Sequence, residues 1–278
     1  MSISTFLILK ILEILQILLL FVVIFGLAMG SFLNVCIYRM PRAGMSIHTP
    51  RRSCCPACRE PIKVVDNVPL VSYLMLRGKC RHCHANISAM YPAVEFATAL
   101  LYLGLFSHFG LTLDFVHALI FVTLLIPIAV IDAQHYIIPN GIIGTGMVLG
   151  VSLVSLIAYQ RGDVGYLLTR LIGAVAGGTL LWLIAVIGGA LLRKTAMGGG
   201  DVKLMALNGL FLGAWPELAM VLALSAIGGA VVGSVLVLTG RKSRQSPIPY
   251  GPFLTAAAVI VLLWGDWLWG RYLQLVGF

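Results

Sequence analysis

Residues 14–35 read ILQILLLFVVIFGLAMGSFLNV and contain no charged residue. A helix of about 20 apolar residues is long enough to cross the hydrocarbon core of a bilayer, so this run predicts a transmembrane helix. No basic segment precedes it, and no convincing small-residue cleavage site follows it. We therefore interpret residues 1–35 as a retained N-terminal anchor and not as a removable signal peptide.

The composition of the whole chain agrees with a membrane protein. Of its 278 residues, 60% are hydrophobic and 10% are charged, and the mean hydropathy is +1.00. A soluble domain normally carries about 25% charged residues, so this chain cannot cover a water-facing surface with polar groups. The composition excludes a soluble enzyme, a disordered protein and a coiled coil.

Further apolar runs follow the first one. They lie at about residues 89–106, 112–131, 137–158, 166–192, 202–214, 218–238 and 252–269. The run at 202–214 is the shortest, and Trp215-Pro216-Glu217 ends it. We predict an all-α polytopic membrane protein with about eight transmembrane helices and one small loop domain.

The basic residues predict the orientation in the membrane. Nine of the 19 Lys and Arg residues fall within residues 36–88, where only Glu60 and Asp66 oppose them. The nine are Arg39, Arg42, Arg51, Arg52, Arg59, Lys63, Arg77, Lys79 and Arg81. Short basic loops stay in the cytoplasm, so both termini are expected outside. The loop is expected to contact anionic lipid headgroups and not nucleic acid.

Other charged and aromatic residues agree with this orientation. Inside loops should also be basic, and the candidates are Arg193, Lys194, Arg241, Lys242 and Arg244. Trp264, Trp267 and Trp269 are placed where an outer aromatic belt would lie. The predicted segments are thus an anchor at 1–35, a cytoplasmic loop at 36–88 and a seven-helix membrane domain at 89–278.

Two Cys-x-x-Cys pairs stand in the cytoplasmic loop. They are Cys55-Pro56-Ala57-Cys58 and Cys80-Arg81-His82-Cys83, separated by 21 residues. This spacing is typical of a four-thiolate zinc site, and a site with four protein ligands leaves no position for a reactive water. We predict a structural Zn²⁺. Two redox or disulfide pairs are the alternative, but a reducing cytoplasm disfavours them. Cys54, His82 and His84 could each replace a predicted ligand.

Two of the ten acidic residues stand at unusual positions. Asp132 follows the apolar run 124–131, and Asp201 follows Met197-Gly198-Gly199-Gly200. The chain crosses the membrane out and back once between them, so both carboxylates should lie at the cytoplasmic face. Ionisable groups at membrane depth are costly and usually functional. Two close carboxylates share one proton, which suits acid–base cleavage of a peptide bond.

Three other polar residues are left outside the predicted site. His135 is interpreted as a solvated loop residue, and Lys203 as an inside-facing topology charge. Glu95 begins the second span, where helix packing or a hydrogen bond to a neighbouring helix would explain it.

These residues resemble those of the bacterial type IV prepilin peptidases, from about Gly30 to Phe253. The matching segments, in chain order, are Gly30-Ser31-Phe32-Leu33-Asn34-Val35, Tyr38-Arg39-Met40-Pro41, the two cysteine pairs, Tyr91-Pro92, Val94-Glu95, Asp132 with Ile138-Pro139-Asn140, Met197 to Leu204, and Pro249-Tyr250-Gly251-Pro252-Phe253. The Gly-x-Gly-Asp pattern alone is shared with presenilin-like proteases. All the segments in order are specific to the family.

The resemblance implies a bifunctional enzyme of the bacterial inner membrane. It implies that an Asp132–Asp201 pair removes the leader of prepilins and pseudopilins, and that the new N-terminus is methylated from S-adenosylmethionine. It places the second activity near Tyr38-Arg39 and the loop. The sequence has no Rossmann-type unit, and we assign no ligand of the methyl donor. The alternatives are a broader intramembrane aspartyl protease and a proton- or cation-coupled transporter with a zinc-stabilised loop.

Overall fold

The computed structural model describes residues 3–42, 44–49, 52–192, 197–243 and 246–277. Arg51, Arg193, Lys194 and Arg244, which we assigned to the inner face, lie outside the described residues. The helices are α1 (Ile3–Arg39), α2 (Val71–Met75), α3 (Met90–Phe109), α4 (Leu113–His135), α5 (Asn140–Arg161), α6 (Val164–Leu192), α7 (Gly199–Leu212), α8 (Glu217–Leu238) and α9 (Gly251–Val276), with a 3-10 turn at Val64–Asn67.

The all-helical prediction is confirmed. Within the described ranges, β structure is limited to three isolated bridges in the loop between α1 and α3. Seven of the described helices are long and apolar enough to cross a membrane. The protein is therefore a multi-pass membrane protein.

Of the eight predicted spans, the one at 202–214 is not among the seven long apolar helices found in the described residues. It forms α7, which has only 14 residues and rises about 21 Å at 1.5 Å per residue. The hydrocarbon core is about 30 Å thick, so α7 covers only part of that thickness by itself. Gly213, whose φ is 112°, ends the helix.

The chain forms two compact units, Met1–Phe115 and Val116–Phe278. The three-segment division made from the sequence stays a prediction. In the first unit, α1 packs closely on α3 through glycines. A Cβ on Gly30 would lie 2.6 Å from the Cα of Glu95, and a Cβ on Gly26 would lie 2.7 Å from the Cα of Ala99. Small residues of this kind let membrane helices approach each other.

In the second unit, α7 is a buried helix. Leu204, Met205, Leu207, Leu210 and Phe211 are each fully buried, and α7 contacts α5, α6, α8 and α9. The surrounding long helices shield its backbone from lipid, which explains how a short helix is tolerated there.

The two ends of α7 lie near different partners in this unit. At its start, Gly200 lies against Ile138, which precedes α5. Beyond its end, the Trp215 ring contacts Trp269 near the end of α9, with centroids 5.6 Å apart. α7 therefore carries the chain from one end of the second unit to the other.

Candidate active site and metal centre

Asp132 lies one turn before the end of α4 and is 6% exposed. Its Oδ2 atom accepts a hydrogen bond of 2.9 Å from the backbone N–H of Gly251, the first residue of α9. The next residue, Pro252, has no N–H to donate. Gly251 thus supplies a fixed donor at a helix N-terminus, where negative charge is favoured.

Gly251 cannot be replaced without moving its neighbour. A Cβ at this position would lie 2.6 Å from Oδ2 of Asp132 and 3.0 Å from Cγ. The absence of a side chain lets the α9 backbone approach the carboxylate directly. The sequence marked this segment as a family match but gave it no role.

Asp201 lies in the first turn of α7 and is 9% exposed. The glycines before it permit close packing, because a Cβ on Gly200 would lie 3.0 Å from Cβ of Ile138. A Cβ on Gly198 would lie 3.3 Å from Oδ2 of Asp201 itself. Ile138, which lies against Gly200, follows Asp132 by six residues, and α7 also contacts α9, whose first residue binds Asp132. The structure thus brings the two predicted aspartates to one region of the second unit.

The residues left outside this site have other surroundings. Lys203 donates a hydrogen bond of 2.8 Å to Oδ1 of Asn140 at the start of α5. This bond ties α7 to α5 beside Asp201, a positioning contact that the sequence did not predict. His135 is exposed, as expected.

The four predicted thiols meet in the first unit. The sulfur atoms of Cys55, Cys58, Cys80 and Cys83 lie within 4.8 Å of one another, and those of Cys55 and Cys83 are 3.8 Å apart. A tetrahedral zinc site with Zn–S bonds of about 2.3 Å has sulfurs about 3.8 Å apart. The cluster could therefore hold a Zn²⁺ ion, and all four cysteines are free of disulfides.

The two cysteine pairs sit in turns with the same hydrogen-bond pattern. In the first turn, Arg59 N donates to Cys55 O, and Cys55 N donates to Glu60 O. In the second, His84 N donates to Cys80 O, and Cys80 N donates to Ala85 O. Arg59 and His84 both have positive φ, near 60° and 56°. Each turn thus aims both of its thiols at one point.

The two turns explain which residues form the four-thiol cluster and which residues beside them do not. Cys54, His82 and His84 were alternatives in the sequence, but none of them belongs to the described cluster. Cys54 instead forms a β-bridge with Pro61, as Lys79 does with Asn86 in the second turn. Cys54 therefore lies outside the first turn, and its thiol is not one of the four that meet.

An ion pair supports the second turn. Arg81 donates to both carboxylate oxygens of Asp66, with Nε–Oδ2 and Nη2–Oδ1 distances of 2.9 and 2.5 Å. These hydrogen bonds lower the pKa of the Asp66 carboxyl below its ordinary value. The pair connects the 3-10 turn to the cysteine turn across 15 residues of sequence.

Glu95 has a role in the first unit that the sequence did not predict. It is 8% exposed, and its Oε2 accepts a hydrogen bond of 2.8 Å from the backbone N–H of Leu70, just before α2. It therefore joins α3 to the loop, while its Cα lies beside Gly30 where α1 packs on α3, in agreement with the expected helix packing.

Fold and site together define a class: a helical membrane protein with a buried aspartate pair in one unit and a four-thiol cluster in the other. Residues 24–109 match the bacterial peptidase A24 N-terminal domain, and residues 119–234 match the type IV leader peptidase family. No solved structure matches the chain.

Curated relatives match almost the whole chain under one name, prepilin leader peptidase/N-methyltransferase. The protein of Pseudomonas aeruginosa is 36% identical, over 92% of this chain and 93% of its own length. The Aeromonas salmonicida protein is 37% identical, over 92% and 94%, and the Bacillus subtilis protein is 36% identical, over 91% and 96%. The chain belongs to the prepilin leader peptidase/N-methyltransferase family.

Proposed function

We propose that this protein removes the leader peptide of prepilins and pseudopilins and then methylates the new N-terminal amine. The observation that supports the proposal is that two buried aspartates lie in the same unit of a chain of this family, with Asp132 Oδ2 accepting a hydrogen bond from Gly251 N. Buried carboxylates in a membrane protein are costly and mark function. The pair suits hydrolysis of a peptide bond.

Cleavage uses the two carboxylates as one unit. The ionised carboxylate takes a proton from water as the water oxygen attacks the peptide carbonyl carbon. The protonated carboxyl group donates its proton to the carbonyl oxygen, which gives a neutral tetrahedral diol. As the diol collapses, the carboxyl group that took the proton from water gives it to the leaving nitrogen, the C–N bond breaks, and the other carboxylate takes a proton from a diol hydroxyl. The pair titrates jointly, so neither proton belongs permanently to one residue. Gly251 holds Oδ2 of Asp132 and leaves Oδ1 for the reaction.

The proposed orientation puts the cysteine loop and both aspartates at the cytoplasmic face of the bacterial inner membrane, with both termini in the periplasm. The path of α7 supports it, because α7 reverses the chain between the aspartate end and the Trp215–Trp269 end of its unit. A prepilin with a cytoplasmic leader and a membrane helix then presents its cleavage bond at this interface. The basic loop faces anionic lipid headgroups.

The four thiols are proposed to bind a structural Zn²⁺. The 3.8 Å separation between the Cys55 and Cys83 sulfurs fits an edge of the zinc tetrahedron. The loop has a small apolar core, so the metal would stabilise its fold.

S-adenosylmethionine is the proposed methyl donor, and its methyl group passes from the sulfonium sulfur to the neutral amine, which leaves a thioether.

The test incubates the purified protein in lipid nanodiscs with a prepilin and S-adenosylmethionine, followed by mass spectrometry of the product. We expect loss of the leader and gain of one methyl group on the new N-terminal residue. A product cut at other sites, or helices cut without regard to a leader, would favour the broader protease. An intact prepilin would contradict the proposal.

A further inference from the structure

A short helical segment of the first unit exposes five apolar side chains, which we call the apolar patch. Val64 and Val65 in the 3-10 turn are 88% and 68% exposed, and Leu74 and Met75 in α2 are 73% and 76% exposed. Val71 is half exposed, and its spacing puts it on the same face of α2 as Leu74 and Met75. A cluster of exposed apolar side chains marks a surface that contacts a partner or a membrane.

Ser72 fixes the way in which the apolar patch is displayed. Its hydroxyl donates a hydrogen bond of 2.9 Å to Val65 O and accepts one of 2.9 Å from Val68 N. Ser72 is buried, while its apolar neighbours are exposed. A helix that packs on the core of a soluble domain has the opposite arrangement. The folding of the loop itself therefore does not account for the exposed face of α2.

A hydrogen bond holds the start of α2 at the depth of a membrane span. The backbone N–H of Leu70, one residue before α2, donates to Oε2 of Glu95 at 2.8 Å. Glu95 is the sixth residue of the span α3 and lies about 7.5 Å along it. Phe96, the next residue, is exposed and so faces lipid at this level.

The length of α2 limits how far the apolar patch can lie from that level. The helix has five residues and rises about 7.5 Å in all. The headgroup layer on each side of a bilayer is about 5–8 Å thick. The apolar patch therefore lies at the boundary between the headgroups and the acyl chains, beside α3.

Basic residues flank the apolar patch on both sides. Lys63 directly precedes Val64, and Arg77 and Lys79 follow α2; all three basic residues are exposed. Asp66, the acidic residue between them in sequence, forms an ion pair with Arg81. Apolar side chains that enter the interface, with basic groups at the level of the headgroups, suit an anionic bilayer.

We propose that the apolar patch inserts into the bilayer beside α3 and anchors the cysteine loop to an anionic lipid surface. A bilayer is favoured over a protein partner because the bond from Leu70 to Glu95 places the patch where α3 meets lipid, and because the basic flanks complement anionic headgroups. The inference goes beyond the proposed cleavage and methylation. It requires only that α1 and α3 cross the membrane, so either idea can fail without the other.

The test places a polarity-sensitive fluorescent amino acid at position 74 of the full-length protein, in nanodiscs of phosphatidylcholine and phosphatidylglycerol. The matched control carries the same label at Glu60, an exposed acidic residue of the same loop outside the patch. Lipids with a nitroxide at the top of the acyl chain should quench the label at position 74 on the order of threefold more than the label at position 60. Iodide in the water should quench them in the opposite order.

Two results of this test would overturn the proposal. One is equal quenching by the nitroxide lipids at positions 74 and 60, because the label at position 74 would then lie in water. The other is a shift of its emission to shorter wavelength that occurs only when prepilin is added, because the patch would then bind a protein and not the bilayer.

A second measurement uses the wild-type protein and so does not depend on a substituted chain folding. Lipids with a photoreactive diazirine at the top of the acyl chain are irradiated in the same nanodiscs, and mass spectrometry maps the labelled peptides. We expect label within residues 64–75 as well as in α1 and α3. Label in α1 and α3 without label in residues 64–75 would overturn the proposal.

Discussion

Replacing Gly251 with alanine should slow leader cleavage without unfolding the protein. The new Cβ would lie 2.6 Å from Oδ2 of Asp132, whereas ordinary contacts begin near 3.4 Å. The carboxylate or the start of α9 must therefore move by about 0.8 Å. Such a shift also lengthens the 2.9 Å hydrogen bond from Gly251 N to Asp132.

The size of the effect follows from the cost of this displacement. Overpacking a tight site costs about 1–3 kcal/mol, and 1.36 kcal/mol corresponds to a tenfold change in rate. If this free energy adds fully to the activation barrier, kcat for cleavage falls about 5-fold to 150-fold. A misplacement near 1 Å is known to cost about 100-fold in other active sites.

The matched control is Gly270→Ala in the same helix. A Cβ on Gly270 meets nothing within 4 Å, and alanine in a helix is more favourable than glycine by about 1 kcal/mol. This variant should cleave prepilin like the wild type and unfold at an equal or higher temperature. Initial rates with a fluorescent prepilin in nanodiscs provide the comparison. A Gly251→Ala enzyme within twofold of the wild-type rate would refute the role given to this glycine.

Two further predictions concern the first unit. Cys55→Ser should lower the bound zinc well below one ion per chain and destabilise the loop, as plasma mass spectrometry and thermal unfolding can measure. Cys54→Ser, outside the cluster, should keep its zinc, and full zinc in Cys55→Ser would count against the ligand set. Gly30→Ala should lower the free energy of unfolding by about 1–3 kcal/mol, because its Cβ meets the α3 backbone at 2.6 Å. Gly104→Ala, in open space on α3, should not; equal stability of both variants would disprove close α1–α3 packing.

The helical fold was predictable because each apolar run is a local signal. Length and composition alone identify seven of the eight predicted spans. The surroundings of α7 could not be predicted, because its apolar run at 202–214 resembles that of a lipid-facing span, while its burial by longer helices is seen only in the folded unit. A 14-residue helix is possible there because protein, and not lipid, surrounds it.

The metal cluster and the aspartates were predictable for different reasons. The two-residue spacer fixes how Cys55 and Cys58 approach one ion, so spacing alone carries the prediction. The pairing of Asp132 with Asp201 followed from counting membrane crossings. The choice between Cys55 and Cys54 needed the turn geometry, which a sequence does not display.

Contacts between distant segments could not be predicted. The bond from Gly251 to Asp132 spans 119 residues, and the bond from Leu70 to Glu95 spans 25. Both join a backbone N–H to a carboxylate. Because every residue except proline has a backbone N–H, the sequence does not indicate which one donates. One sequence signal could have indicated Gly251. It stands directly before Pro252 at a helix start that no polar side chain caps, so its N–H needs another acceptor.

The most direct test of the account measures prepilin cleavage by Asp132→Asn and Asp201→Asn in nanodiscs. An Asn keeps the size of Asp but cannot take or give the proton, and acid–base groups contribute about 100-fold to 10,000-fold. Each variant should lose at least 100-fold in kcat, while Asp266→Asn at an exposed site of α9 should match the wild type. Cleavage by either dyad variant at the rate of Asp266→Asn would contradict the claim that the two aspartates perform the reaction.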